Sequence, residues 1–193
     1  GEVMGGLSEQ QWRTLLAELQ PRFDVSVVAF ARDVFDYSYS TWRQNVKTGV
    51  HYHDFEAYLR LRNEEELGFS MLSGFRRMRA AGVPLMLVNY DRHRADIVSA
   101  FFAATGLPRP LENEVPLVGH RYNPSLTTSE TEIVRLVGQQ IANASFQRTV
   151  VRMLMAREPS ERIEGGFYDP DLHRLQLERH GDAIADLNRM LGD

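Results

Sequence analysis

Val25-Ser26-Val27-Val28-Ala29-Phe30-Ala31 runs straight into Arg32-Asp33-Val34-Phe35-Asp36-Tyr37-Ser38-Tyr39-Ser40. The first seven residues are nearly all apolar and rich in valine, the pattern of a strand buried on both faces of a parallel sheet. After a turn at Arg32 to Asp36, Tyr37 to Val46 reads as a helix that Gly49 terminates. A buried strand delivering the chain into a helix points to an α/β fold. Arg32 then sits at the carboxyl edge of the sheet, where α/β proteins bind ligands.

Upstream, Ser8 and Gln11 form a capping-box signature, and Trp12, Leu15, Leu16 and Leu19 recur at helical spacing until Pro21. Downstream, Asp54 is placed to cap a helix. From Phe55 to Ala81 the apolar spacing predicts two helices broken near Gly68 and closed by Gly82. Val83 to Val88 is a second buried strand, Asn89 to His93 a loop, and Ala95 to Thr105 a helix stopped by Gly106. Pro108 to Pro124 is an irregular polar segment, the natural place for a binding loop. Thr127 with Glu130 opens a further helix carrying Ile133, Val134 and Val137; others span Phe146 to Met155 and Pro170 to Leu191. Two central-type strands want neighbours on both sides, and the sequence offers hardly another convincing strand, so the sheet reads as incomplete.

At 193 residues, 43% hydrophobic and 25% charged, the chain has the makings of one domain around one core. Its apolar runs are far shorter than the roughly 20 residues of a membrane helix, and residues 1 to 20 lack the features of a secretory signal. A cytoplasmic setting is the expectation. The absence of cysteine removes disulfides, thiolate nucleophiles and thiolate metal ligands. A net charge of −4 argues against a general nucleic-acid binder, so any anion site is local. Lys47 is the one lysine among 22 basic residues; the rest are arginines, suited to bidentate grip on phosphate or carboxylate.

Arg32 is such a grip in a suitable place. Its guanidinium offers a charge-assisted fork, and the first turn of the following helix offers free N–H groups and a positive dipole end. Ser40, eight residues on, adds a hydroxyl. The bland alternative weighs equally on pattern alone: Arg32 pairs with Asp33 or Asp36, and Ser40 only packs.

An arginine followed eight residues later by a serine, across a strand-turn-helix, resembles the 3′-phosphate-binding segment of sulfotransferases that use 3′-phosphoadenosine 5′-phosphosulfate. Leu87-Val88-Asn89-Tyr90-Asp91, with Ile97, Phe101, Phe102 and Gly106-Leu107 beyond it, is similar to a later strand, Tyr-acid turn and helix of that family. Asn123-Pro124-Ser125-Leu126 with Glu130, and Asn45-Val46-Lys47-Thr48-Gly49, resemble runs found in bacterial members. The motifs are individually loose; their order over about residues 2 to 191 carries the likeness.

The resemblance implies a three-layer α/β/α fold of the P-loop-kinase kind. It implies transfer of a sulfuryl group from that nucleotide to a hydroxyl acceptor, carbohydrate being one candidate, with no metal. It assigns Arg32, Ser40 and Arg121 to the nucleotide and places His51 and His53 near the acceptor. The departure is the family's other half-site, a strand, a Gly- and Lys-containing loop and a helix that cradle the 5′-phosphosulfate; this sequence has none of it. The expectation is therefore the C-terminal part of a longer domain. A non-catalytic module of the same fold is the competing reading, with a partner chain or a second copy at the sheet edge.

Three further groups carry weaker signals. His51-x-His53-Asp54 has metal-ligand types without a third and fourth ligand. Glu2 and Glu9 lie where family members carry a base, yet Glu9 is more simply a first-turn residue favoured by the helix dipole. Asp91 is expected to cap the helix after it, with Tyr90 packed beneath.

Overall fold

Ser8 opens the first helix as expected. Its Oγ accepts the Gln11 N–H at 3.2 Å while Gln11 Oε1 accepts the Ser8 N–H at 2.8 Å, and α1 (Glu9–Leu19) follows with Trp12 and Leu16 buried one turn apart. The structure, a computed structural model, describes residues 6–64, 70–109, 125–141, 143–162 and 169–192. Along them run β1 (Val27–Ala31), α2 (Val34–Thr48), α3 (Phe55–Glu64), α4 (Ser70–Ala80), β2 (Leu85–Asn89) and α5 (Ile97–Thr105). Then come α6 (Thr128–Gln140), α7 (Ala144–Met155), a 3-10 turn at Pro159–Glu161 and α8 (Pro170–Leu191), which kinks at His180. No helix among the described residues is long and apolar enough to cross a membrane.

The chain divides into two units: Gly1–Val34, Phe69–Val115 and Leu177–Asp193 form the first, Phe35–Gly68 and Pro116–Gln176 the second. In the first, β1 and β2 pair in parallel from Val27↔Leu85 to Ala31↔Asn89. Val27, Ala29, Leu85 and Leu87 lean on a core of Trp12, Leu16, Ala31, Leu72, Phe75, Met78, Val83 and Leu187. These alternate residues share one face of the sheet.

Both strands differ from the expectation of burial on two faces. Every strand residue except Ala31 is partly exposed. The sheet has two strands among the described residues, so each keeps an open edge, and Val28, Phe30, Met86 and Val88 point away from that core. The helix-rich chain with a parallel sheet is nonetheless of the mixed α/β kind.

In the second unit, Phe35, Trp42 and Val46 of α2 pack with Phe55, Tyr58 and Leu59 of α3, with Leu126, and with Val134 of α6. Phe55 meets Phe35 edge-on at 5.4 Å and Tyr39 at 5.1 Å, and the Trp42 indole N–H donates to the His53 carbonyl at 2.9 Å. Asp54 caps α3 as expected, accepting the Ala57 N–H at 2.7 Å.

The turn after β1 is shorter than the sequence suggested. α2 begins at Val34 rather than Tyr37, because Val34 and Phe35 are both buried and Phe35 starts the apolar stripe that Trp42 and Val46 continue.

Candidate functional site

The carboxyl ends of β1 and β2 lie side by side in the first unit, and three consecutive residues from the last of β2 onward, Asn89 to Asp91, organise them. The Tyr90 N–H donates to the Ala31 carbonyl at 2.7 Å, which extends the ladder past the last paired residues. Asn89 Oδ1 accepts the N–H groups of Asp91 and Arg92 at 3.0 and 3.1 Å, closing an Asx turn. That turn aims the Asp91 carboxylate back at the first strand, where Oδ2 accepts the Asp33 N–H at 2.7 Å.

Asp91 therefore does not cap the helix that follows it. Asp96 does, accepting the Ser99 N–H at 2.9 Å; it is the residue next to the first turn of α5, whereas Asp91 is five residues short of it. Arg109 and the Ser99 hydroxyl also bond the Asp96 carboxylate, and these bonds with Ser99 hold it below the usual carboxylate range.

Arg32, the first residue after β1, is half-buried and lies with its guanidinium carbon 5.3 Å from the centre of the Tyr90 ring. Arg92, His93 and Arg94 follow on the exposed loop, so three arginines and a histidine belong to these strand ends. The carboxylates of Asp33 and Asp91 offset part of that charge. A planar cation resting on an aromatic face beside a short strand-to-helix turn is equipped to bind an anion with two parallel oxygens.

Ser40 is half-buried on α2 and belongs to the second unit, whereas Arg32 belongs to the first. Arg121 and His120 lie outside the described residues, as do Asn123, Pro124 and Glu2. His51 and His53 do come together: their rings stack at 5.6 Å, and His51 stacks on Tyr58 at 4.9 Å. His51 is half-buried and His53 exposed, while the His53 carbonyl is taken by Trp42. Among the described residues, no three imidazoles or carboxylates form a set that could hold a metal.

Glu9 is paired with Arg13 one turn along α1 at 2.5 Å, the surface role favoured by its first-turn position. A shallow depression of about 320 Å³ runs beside α1, lined by Leu7, Gln10, Gln11, Thr14, Leu15 and Glu18. Its one charged side chain is a carboxylate, the wrong sign for a phosphate ester, and none of the strand-end residues lines it.

The second unit holds a polar cluster that the sequence did not disclose. Glu130 is fully buried; its carboxylate accepts Arg162 Nε at 3.2 Å, Arg162 Nη2 at 2.5 Å and the Thr127 N–H at 2.8 Å. Arg162 Nη2 also donates to the Ser125 carbonyl at 2.7 Å, Arg43 donates to the Leu126 carbonyl at 3.2 Å, and the Tyr39 hydroxyl bonds Thr128 at 2.8 Å. Four side chains thereby fix the entry into α6. Burial pushes the Glu130 carboxyl up, but Arg162 and the Thr127 amide outweigh it and hold the group below its ordinary value. Lys47, half-buried in the last turn of α2, is pushed down by burial and by the charge of Arg162. Nothing at positions 130 and 162 announces the pair, since 32 residues, with the rest of α6 and all of α7 among them, separate the two.

Comparison with family models, with curated proteins and with solved structures gave no match.

Proposed function

We propose that Arg32 is a phosphate-gripping residue. In this reading the chain forms the 3′-phosphate- and acceptor-binding part of a sulfotransferase-like protein of the three-layer P-loop-kinase kind. What carries the reading is the placing of Arg32. It is the first residue after a parallel strand, half-buried, with its guanidinium spread on the Tyr90 ring and a helix starting two residues later. The order of motifs quoted above supports the choice of ligand, 3′-phosphoadenosine 5′-phosphosulfate. Ser40, Arg121, His51 and His53 rest on the resemblance alone.

In the complete reaction the acceptor oxygen bonds to sulfur, the bond from sulfur to the 5′-phosphate oxygen breaks, and the hydroxyl proton leaves to a base. Charge then collects on the departing phosphate, where a positioned cation is needed. No residue of this chain is assigned to that role or to the base, so the reading is one of binding, and sulfuryl transfer belongs to the domain made whole.

Calorimetric titration with 3′-phosphoadenosine 5′-phosphate tests it, with adenosine 5′-phosphate as control. Saturable binding that needs the 3′-phosphate is expected, and Arg32→Ala is expected to weaken it by roughly 30- to 150-fold, the range for one charge-assisted fork worth about 2–3 kcal/mol. Equal affinity for the two nucleotides, or an Arg32→Ala variant that binds like the wild type, would remove the reading.

A second reading, a non-catalytic module that pairs its sheet with a partner chain, is favoured by one observation. Among the described residues β1 and β2 each have an unpaired edge. A folded wild type that ignores both nucleotides would shift the weight there.

A further inference from the structure

An arginine side chain loses rotamer freedom when it is fixed, so a grip assembled before the ligand arrives binds more tightly than one assembled around it. Two things must be set beforehand: the direction in which the side chain leaves the backbone, and the place where the guanidinium rests. At the strand ends these are handled by neighbouring residues of one tripeptide. Tyr90 lies against the guanidinium, and the Asp91 carboxylate takes the N–H of the peptide that joins Arg32 to Asp33. Asn89, the last residue of β2, bonds the amides of residues 91 and 92 and so directs Asp91 towards that peptide.

We propose that Asp91 is a positioning residue for Arg32: its hydrogen bond to the Asp33 N–H holds the Arg32–Asp33 peptide in the orientation that presents the guanidinium for phosphate binding. The proposal rests on the phosphate reading of Arg32 given above. It has an electrostatic signature. A carboxylate beside a phosphate site opposes the ligand by its charge, so the benefit of Asp91 lies in the acceptor oxygen and not in the negative charge. Asparagine keeps an acceptor of the same reach and drops the charge; alanine removes both. A group that acted through its charge alone would leave the two variants equal, since both remove it.

The test uses the full chain and 3′-phosphoadenosine 5′-phosphate, with affinities from calorimetry and amide hydrogen exchange read at Asp33 without ligand. Asp91→Ala is expected to weaken binding about tenfold and to speed exchange at Asp33, in line with the loss of one hydrogen bond to a charged group. Asp91→Asn is expected to bind at least as tightly as the wild type and to keep Asp33 protected. An Asp91→Ala variant with wild-type affinity, or an Asp91→Asn variant as weak as alanine, would overturn the proposal while leaving the phosphate reading intact. A wild type that binds no 3′-phosphate would sink that reading and this proposal together.

Discussion

Arg162→Ala is expected to destabilise the second unit by about 3–5 kcal/mol, the cost of leaving a buried charge without its partner. The carboxylate that would be stranded is Glu130, which has no solvent exposure and accepts two hydrogen bonds from the guanidinium. Surface pairs such as Arg60 with Glu56 or Arg174 with Asp171 are worth at most about 1 kcal/mol each, so the contrast is one of burial and not of ion-pair chemistry. Urea denaturation followed by far-ultraviolet circular dichroism measures the difference. A loss below about 1 kcal/mol would show that water reaches Glu130.

The pH dependence of the same variant supplies a second check. In the wild type the folded-state value of Glu130 lies below the unfolded one, so its contribution is full above the unfolded carboxyl value of about 4.3 and disappears as pH falls through the folded value. Burial alone acts in the other direction. Removing Arg162 therefore raises the folded value, and the stability gap between wild type and variant is expected to narrow as pH drops from 6 towards 3. A gap that holds constant over this range would separate the lost stability from Glu130.

Gly138→Ala is expected to destabilise by about 2–3 kcal/mol, although alanine is the better helix former by about 1 kcal/mol. Gly138 lies buried inside α6, and a Cβ there would sit within the contact radius of the Tyr52 ring edge. The ring is tethered at both ends of the residue. Its hydroxyl bonds Gln147 Oε1 at 2.5 Å, Gln147 in turn bonds the Val46 carbonyl at 3.0 Å, and Gln139 takes the Tyr52 carbonyl at 2.9 Å. Gly181, in α8, is the natural comparison: a Cβ there meets nothing within 4 Å, and alanine is expected to stabilise by about 0.5–1 kcal/mol. The decisive measurement is the difference between the two variants in thermal or urea unfolding. Equal effects would mean that the Tyr52 ring moves aside.

What was legible in the sequence was local. Ser8 with Gln11 and Thr127 with Glu130 are complete within one turn of helix, and both helices start where those residues say. Gly49, Gly82 and Gly106 end helices with φ near +70 to +80°, a conformation that side chains with a Cβ resist. The apolar runs begin two residues ahead of the strands, at Val25 and Val83 against Val27 and Leu85, because an apolar run does not mark where pairing begins. α2 starts earlier than the sequence suggests, since Asp33 and Asp36 read as part of a polar turn while Val34 and Phe35 between them are buried.

At the candidate site, Arg32 could be placed from its neighbours, whereas the use of Asp91 could not. Fifty-eight residues separate it from Asp33, and an acidic residue ahead of a helix suggests a cap before it suggests a tether. The same holds for Arg162, whose partner is set by tertiary packing and by no pattern along the chain.

The two tryptophans have fallen one to each core: Trp12 in the first unit, with no hydrogen-bond partner for its indole N–H, and Trp42 in the second, with that group bonded to a carbonyl. The chain therefore carries a separate fluorophore for each half. A Trp12→Phe chain reports the melting of one core by its emission and a Trp42→Phe chain that of the other, which turns the question of whether the halves unfold together into the superposition of two curves.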